Sequence, residues 1–310
     1  MAFYSLPYYP DPMSLPPKLP TVKEIDPTQD IPSDQLARKV VGIADHFVVK
    51  YGVGADLLKG KMMLFLQQST SIPVPRVYAW FHLPDTKKNH IIVGHISGTA
   101  LDLEWPKMDQ AAKNAVVSKH YASFEEIRRL KSLGGFCSLG RRSLPNDIFW
   151  TSNPSNPFAG PFDTEPDLNE ARVGKYVKDG LPKYKMDFYA CALKTIFRDY
   201  VPIFSQGDLQ RENVMIRRSH DASQNEEQLT TVELEIVIID WEFAGWYPSY
   251  LEYVRAIFAC GRWADDWSLC VDGILVPALN EYARMVMFLR EMWSRNWIVA
   301  AILKSQRMHI

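Results

Sequence analysis

The order of predicted elements in residues 38–93 limits the folds open to this chain more than any other feature. Four runs rich in β-branched or aromatic residues are typical of strands, and a longer run has the apolar spacing of a mostly buried helix. In chain order these runs are Arg38–Ile43, His46–Tyr51, Ala55–Gln68 (the helix), Val77–Phe81 and His90–Val93. The turn residues Ala44-Asp45 predict a β-hairpin from the first two runs. The sequence therefore predicts a small β-β-α-β-β unit.

Helical patterns dominate the rest of the chain. Predicted helices cover Lys107–Ser132, Glu165–Lys178, Tyr184–Tyr200 and most of the sequence from Tyr250 onward. Predicted loops lie at Leu144–Gly160 and at His220–Gln228, the second of them polar and mobile, between short strands at Asn213–Arg217 and Glu233–Ile239. The predicted fold class is therefore α+β, with a small antiparallel-sheet lobe that carries one helix and a larger, mostly helical lobe.

Three segments follow from this division. Eight prolines in the first 32 residues predict an extended leader over residues 1–36, because proline fixes φ and removes a backbone donor. Residues 37–95 form the predicted N-lobe, and residues 96–310 form the predicted C-lobe. A two-lobed arrangement favours a ligand held in the cleft between the lobes.

Composition and charge exclude several kinds of partner. The chain has 310 residues with a formal net charge of −1, so it has no broad basic field for nucleic acid or an anionic membrane. Its longest apolar stretch, Trp297–Leu303, is far shorter than the ~20 residues of a transmembrane helix. No secretory signal is visible, and the four cysteines have no CxxC spacing. We therefore expect reduced thiols, a cytoplasmic location, and neither a nucleic-acid nor a membrane partner.

Two polar motifs next to predicted strands carry the chemistry. In FSQGDLQREN, Asp208 is followed after four spacer residues by Asn213, which opens an apolar strand. In IVIIDWEFAG, a buried strand ends at Asp240. A carboxylate can orient a hydroxyl nucleophile and accept its proton, and Mg²⁺ prefers hard oxygen ligands such as an Asn amide and an Asp carboxylate. The pattern D-x-x-x-x-N followed by a strand-end Asp is typical of phosphoryl transfer.

Lys50 supplies the cation that this chemistry requires. It lies among apolar neighbours in the second predicted strand, which holds its ammonium where a phosphate could pair with it. Each of these residues also has a structural alternative. Lys50 alone could be an edge residue with its head in water, while Asp208, Asn213 and Asp240 could serve turns and loops. Their joint order along the chain favours the catalytic interpretation.

With these motifs the chain resembles the aminoglycoside phosphotransferase and choline kinase-like family, in particular its fungal phosphotransferase branch. The matching motifs follow one another over nearly the whole sequence: HFVVKYG (46–52), TSIPVPRVYA (70–79), SGTALDLEWP (97–106), GPFDTE (160–165), QGDLQRENVMI (206–216) and IDWEFAGWYPSYLEY (239–253). The resemblance implies a protein-kinase-like fold. It also implies ATP-dependent transfer of a phosphoryl group to a hydroxyl of a small molecule.

The resemblance assigns roles residue by residue. Asp208 is the implied catalytic base, and Asn213 and Asp240 are the implied Mg²⁺ ligands. Lys50 is implied to hold the α- and β-phosphates of ATP. The implied interlobe hinge, which would bind adenine through backbone groups, consists of Val93, Gly94, His95 and Ile96. The acceptor is a small molecule that the sequence does not name, and no protein partner is indicated.

The chain departs from the family pattern at three places. Gln206 replaces the histidine of the usual HGD, and because Gln can both donate and accept hydrogen bonds we expect the loop to persist. Lys59 and Lys61 occupy the helix positions where acidic residues are expected, so we expect Lys50 to lack its acidic partner and Lys61 to repel it. The hinge reads VGHISG where MEYIPG is usual, a change that recognition through backbone groups can tolerate.

These departures keep a second function open. A degenerate member of the family would bind a nucleotide or a partner without catalysis, and Lys59, Lys61 and Gln206 favour that alternative. Protein-kinase activity is disfavoured because no HRD, DFG or APE sequence is present.

Two residue clusters keep a functional and a structural interpretation. The aromatic residues Trp241, Trp246 and Tyr247 either line a pocket for a cationic or flat substrate or pack inside the larger lobe. The adjacent carboxylates Asp265 and Asp266 either attract an amine-bearing substrate or begin a helix, and we favour the helix start.

Overall fold

The computed structural model describes residues 6–9, 18–26, 38–132, 134–146, 148–149, 157–178, 180, 182–219, 233–261 and 265–291. The predicted loop His220–Gln228 lies outside these residues, as does part of Leu144–Gly160. The strands are β1 (Lys39–Ile43), β2 (Phe47–Gly52), β3 (Val77–Leu83), β4 (Lys88–Gly94), β5 (Thr99–Ala100), β6 (Pro202–Ser205), β7 (Val214–Ser219), β8 (Glu233–Ile238) and β9 (Gly245–Pro248). The α-helices are α1 (Val22–Ile25), α2 (Leu58–Ser69), α3 (Leu101–Glu104), α4 (Gln110–Arg128), α5 (Glu165–Lys178), α6 (Lys183–Ile196), α7 (Leu251–Ala259) and α8 (Trp267–Ile274). Residues 279–291 are also helical.

The chain divides into two compact units. The first contains Met1–Lys119 and Arg211–Glu242, and the second contains His120–Gln210 and Phe243–Ile310. Part of the predicted C-lobe therefore groups with the small sheet, and the lobe boundaries drawn from the sequence stay a prediction. Within the described ranges, no helix has both the length and the apolar character that crossing a bilayer requires.

A four-stranded antiparallel sheet forms the centre of the first unit, with strand order β1-β2-β4-β3. The predicted β-β-α-β-β order is confirmed. Side chains of β2 alternate between two faces. Phe47, Val49 and Tyr51 are buried in the core on one face, whereas Val48 and Lys50 lie on the other. Helix α2 packs closely on β3, since the Trp80 ring lies 3.2 Å from where a Cβ at Gly60 would be, and a larger residue there would be crowded.

In residues 18–26, the longer described part of the leader, the structure differs from the extended segment that the sequence predicts. These residues contain the one-turn helix α1, whose first turn is capped reciprocally by Thr21 and Glu24. Ile25 from this helix packs into the sheet core, and Asp26 accepts a 2.6 Å hydrogen bond from the Lys88 ammonium on β4. A short helix therefore forms between the prolines, because the burial of Ile25 and the ion pair between Asp26 and Lys88 stabilise it.

A second, three-stranded sheet in the first unit has the order β5-β7-β8. Strands β7 and β8 are antiparallel, with Val214 opposite Ile238. Just beyond this pair, the Ile239 N–H donates to the Asn213 carbonyl over 2.9 Å. The hairpin therefore brings Asn213 and the residue before Asp240 to the same end of the sheet. Asn213 itself lies in a 3₁₀ turn, so β7 begins one residue later than predicted.

The second unit is mainly helical, with helices α5 to α8 and residues 279–291. Strands β6 and β9, which belong to this unit, pair with each other and were not predicted. Helix α4, which contributes its last residues to this unit, begins at Gln110 and not at the predicted Lys107. The Asp109 carboxylate accepts a 2.7 Å hydrogen bond from the Ala112 N–H, so Asp109 is the N-cap of the helix.

Candidate active site

A cavity of about 280 Å³ in the first unit is lined by all five predicted nucleotide-binding residues. Its lining groups Lys50 with Asp240 and with the whole predicted hinge, Val93, Gly94, His95 and Ile96. Apolar side chains complete the wall, among them Val48, Met63, Ile91, Met215 and Trp241. A mostly apolar cavity with a few convergent charged groups is typical of small-molecule binding.

Lys50 has an acidic partner, contrary to the expectation from the sequence. Its ammonium donates a 2.7 Å hydrogen bond to Oδ1 of Asp240, and the two side chains are 23% and 27% exposed. Burial alone would raise the pKa of Asp240, but the charge and the hydrogen bond of Lys50, with help from Lys59 and Arg38, hold this pKa below its usual value. The carboxylate is therefore ionised at neutral pH and available to a cation.

The backbone at Asp240 adopts an uncommon conformation. Its φ is +55°, a left-handed value that Asp and Asn tolerate better than other residues with a Cβ. This bend lies two residues beyond the end of β8, and the Asp240 residue lines the cavity. Among the described residues, no cluster of three or more His, Cys, Asp or Glu side chains could hold a metal. The candidate oxygen donors at this end of the sheet are the amide of Asn213 and the carboxylate of Asp240.

Helix α2 carries the second lysine of the cavity wall. Lys59 is only 8% exposed, and its ammonium is ion-paired with Oε2 of Glu242. The same oxygen accepts a 2.5 Å hydrogen bond from Arg38. Lys61 is not part of the cavity lining. The lysine of helix α2 whose charge opposes that of Lys50 in the cavity is Lys59. The acidic residues that compensate both lysines come from the segment Asp240-Trp241-Glu242, not from the helix.

The predicted hinge lines the cavity, but part of its backbone is already engaged. The Gly94 N–H donates to the Arg76 carbonyl over 2.8 Å, and the His95 N–H donates to the His46 carbonyl over 2.9 Å. Recognition of adenine by this segment stays a prediction. Because the N–H groups of Gly94 and His95 are already hydrogen-bonded, the peptide groups around Ile96 are the ones that would bind adenine.

The loop that contains Asp208 follows β6 in the second unit. Gln206 is fully buried, and its side-chain oxygen accepts a 2.7 Å hydrogen bond from the Asp208 N–H. This contact agrees with the expectation that Gln206 can replace histidine in bracing the loop. Gly207 has φ +82°, and a Cβ there would come within 2.7 Å of the Phe243 carbonyl oxygen, so the turn requires glycine. The Asp208 carboxylate accepts a 2.6 Å hydrogen bond from the Gln210 amide.

Glu252 on helix α7 also holds the loop that contains Asp208. It is 2% exposed, and its carboxylate accepts a 3.0 Å hydrogen bond from the Gly207 N–H. Burial raises the pKa of Glu252 to about 7, and the hydrogen bond from Gly207 and the charge of Arg128 only partly oppose this effect. The loop thus rests on a buried carboxyl group that titrates near neutral pH.

The aromatic cluster divides between the two interpretations. Trp241 lines the cavity, with its indole N–H donating to the Ile238 carbonyl over 2.9 Å. Trp246 and Tyr247, 1% and 0% exposed, donate to backbone carbonyls of the second unit and pack in its core. Asp265 accepts from the Trp267 N–H and Asp266 is the N-cap of α8, which is the helix start that we favoured.

Sequence reasoning missed Lys59 as a cavity residue, and it missed Arg38, Glu242 and Glu252. Two signals were present. Glu242 follows Asp240 by two residues and is the acid that the helix lacks. Glu252 is a single acid inside an apolar run, and buried acids of this kind are rare unless hydrogen bonds hold them.

Among the solved structures with folds similar to this chain are three aminoglycoside phosphotransferase complexes. They are the GDP and kanamycin complex of APH(2")-IIia (TM-score 0.54, 16% identity, 89% of this chain and 86% of that one), the GDP complex of wild-type aminoglycoside 2'-phosphotransferase-IIIa (0.52, 16%, 88% and 85%) and the gentamicin complex of APH(2")-IIa (0.50, 13%, 89% and 86%). The chain has the aminoglycoside phosphotransferase fold. No protein-family model and no curated protein matches its sequence.

The aminoglycoside phosphotransferase fold confirms the resemblance drawn from the motifs at the level of architecture. It also confirms the predicted fold class, an antiparallel-sheet region followed by a mostly helical region. At identities of 13–16%, the similarity establishes the fold alone.

Proposed function

We propose that the chain is a kinase-like phosphotransferase that moves the terminal phosphoryl group of ATP to a hydroxyl of a small molecule. The observation that carries this proposal is the cavity of the first unit, where Lys50 and Asp240 meet beside the predicted hinge. A strand lysine and a strand-end aspartate in one mostly apolar cavity are the pair that phosphoryl transfer needs for charge neutralisation.

The oxygen donors fit a Mg²⁺–nucleotide. Asn213 and Asp240 lie at the same end of the β7–β8 hairpin, and Mg²⁺ is commonly bound by one or two protein oxygens together with substrate phosphates. Bound Mg²⁺ neutralises charge on the phosphates. Because Lys50 already contacts Asp240, it is close enough to exchange this carboxylate for a phosphate when the nucleotide enters.

Asp208 is the proposed base. The acceptor oxygen forms a bond to the terminal phosphorus, the bond from that phosphorus to the bridging oxygen breaks, and ADP leaves with its electron pair. The acceptor proton passes to the Asp208 carboxylate. The hydrogen bond that the Asp208 N–H donates to the Gln206 side chain holds this loop, and the one that the Gln210 amide donates to Oδ1 orients the carboxylate.

The test is turnover of the Asp208→Asn variant. The variant keeps the shape of the side chain but cannot accept the proton, so we expect turnover to fall by roughly 10²–10⁴ while ATP binding is retained. Turnover is measured with labelled ATP against a panel of hydroxyl-bearing metabolites, and ATP binding by calorimetry with Mg²⁺. Unchanged turnover in the variant would exclude Asp208 as the base.

The non-catalytic alternative rests on the engagement of Asp240 by Lys50 and on Lys59 in the cavity wall. It predicts that ATP binds the wild-type protein and that no acceptor in the panel is phosphorylated. ATP binding accompanied by slow hydrolysis that Asp208→Asn abolishes would instead support catalysis.

A further inference from the structure

The cavity wall contains a lysine in a place where the related motifs predict an acid. Lys59 lines the cavity with Lys50, and Asp240 is the carboxylate that lines it with them. The lining therefore has an excess of positive charge, which a polyanionic ligand would balance.

The ammonium of Lys59 is poorly compensated. The side chain of Lys59 is buried, and its acidic partner Glu242 offers the same Oε2 atom to Arg38, so one carboxylate oxygen serves two cations. A buried ammonium needs more than this to offset its lost hydration. Burial, ahead of the nearby charge of Arg38, lowers the pKa of Lys59 to about 7, which indicates the same shortage of negative charge.

We propose that Lys59 is a phosphate-binding residue and that Lys50 and Lys59 together bind the polyphosphate of the nucleotide. Glu242 is the counterion of Lys59 in the absence of nucleotide. This inference rests on the proposed function, since it takes a nucleoside triphosphate as the ligand. The change from acid to lysine on helix α2 is then a different solution to phosphate binding.

A purely structural role for Lys59 makes a different prediction. If Lys59 only anchors Glu242 and the segment after Asp240, any arrangement that keeps the ion pair should keep nucleotide binding. If Lys59 contacts phosphate, the positive charge must stand on the helix, because Lys59 lines the cavity and Glu242 does not.

The experiment measures the affinities of ATP and adenosine by calorimetry, with and without Mg²⁺. It compares the wild-type protein with Lys59→Gln and with the matched control Lys61→Gln, which changes a lysine of the same helix outside the cavity lining. We expect Lys59→Gln to weaken ATP binding about 10- to 100-fold, the range for loss of a hydrogen bond to a charged group. Adenosine binding should not change, and Lys61→Gln should bind both ligands as the wild type does.

A charge-exchange variant separates the two roles of Lys59. Lys59→Glu combined with Glu242→Lys keeps an ion pair between the two positions, and circular dichroism and thermal unfolding report whether the fold is retained. We expect the exchanged protein to fold but to bind ATP as weakly as Lys59→Gln. Recovery of wild-type ATP affinity would overturn the proposal.

A measurement on the wild-type protein needs no folded variant. An adenosine diphosphate derivative with an aldehyde on its terminal phosphate condenses with a contacting amine, losing water, and borohydride reduces the imine to a stable amine. Peptide mapping should find the label on Lys59 or Lys50 and not on Lys61, and ATP should prevent labelling. Labelling of Lys50 alone, together with unchanged ATP affinity in Lys59→Gln, would refute the proposal but not the proposed function. Absence of any ATP binding to the wild type would refute both.

Discussion

At the scale of single residues, Asp240 combines an uncommon backbone with an ion pair. Its φ of +55° costs about 1–2 kcal/mol for most residues with a Cβ, and less for Asp and Asn, whose short polar side chains can hydrogen-bond locally. Strained residues persist where the surrounding structure holds them, and they are common at functional sites. The β7–β8 hairpin and Lys50 hold Asp240 here.

Two substitutions separate the charge of Asp240 from its conformation. Asp240→Asn removes the negative charge but tolerates the left-handed backbone. We expect it to lower the free energy of unfolding by roughly 1–2 kcal/mol, less than the 3–5 kcal/mol of a fully buried pair because both partners are partly exposed. Asp240→Ala should cost about 1 kcal/mol more. Chemical denaturation measures both values.

The same two variants test the metal assignment. Both should lose the Mg²⁺ dependence of ATP binding, because neither supplies the carboxylate. If calorimetry finds that Mg²⁺ strengthens ATP binding equally in the wild type and in Asp240→Asn, Asp240 serves only the turn and the ion pair.

At the scale of elements, the Asp208 loop depends on helix α7. Gly207 takes a conformation that requires glycine, and its N–H donates to the buried Glu252. The folded pKa of Glu252, about 7, lies above the usual value of 4.5. The folded state therefore binds the proton more tightly than the unfolded state does between these two values.

This shift predicts a pH dependence of stability. The contribution of Glu252 is most favourable below pH 4.5 and is lost as pH rises from 4.5 through about 7, by up to roughly 3 kcal/mol in total. Glu252→Gln should remove this component from the curve of unfolding free energy against pH. Glu170→Gln, which changes an exposed carboxylate of α5, should leave it in place. An unaltered curve in Glu252→Gln would mean that Glu252 keeps an ordinary pKa.

At the scale of the whole molecule, the first unit contains a buried group, His90, whose pKa shifts in the direction opposite to that of Glu252. His90 on β4 is fully buried and stacked between the rings of Tyr51 and Phe81, with centroid distances of 5.6 and 4.9 Å. Burial lowers the pKa of His90, so the folded unit holds the imidazole neutral. Its contribution to stability is present above the unfolded pKa near 6.5 and is lost as pH falls below it.

His90 in the first unit and Glu252 in the second predict that the stabilities of the two units depend differently on pH. His90→Phe, which keeps an aromatic ring in the stack, should reduce the loss of stability below pH 6.5, while Glu252→Gln reduces the loss above 4.5. Hydrogen exchange at several pH values reports on strands β2 to β4 and on the Asp208 loop separately. The control His46→Gln changes an exposed histidine and should not alter either response. Identical pH dependence of the sheet in wild type and His90→Phe would contradict the prediction.

Local patterns in the sequence determined most of the first sheet and several helices. The strands around Lys50, helix α2 and helix α5, whose predicted and observed bounds are both Glu165–Lys178, follow from apolar periodicity and turn residues. The order Lys50, Asp208, Asn213, Asp240 also came from the sequence. These strands and helices depend mainly on residues that are close together in the chain, and such local patterns can be read from the sequence.

The tertiary structure alone decided which charges meet. Lys50 finds its acid in Asp240, 190 positions away, and Lys59 finds Glu242 on the same segment. The pairing of β6 with β9 is likewise between distant segments. An ammonium that is withdrawn from water must be compensated by whatever carboxylate the folded chain brings near it, and the local sequence does not specify that neighbour. For this reason the motifs could predict candidate site residues, while only the folded chain decided how their charges are balanced.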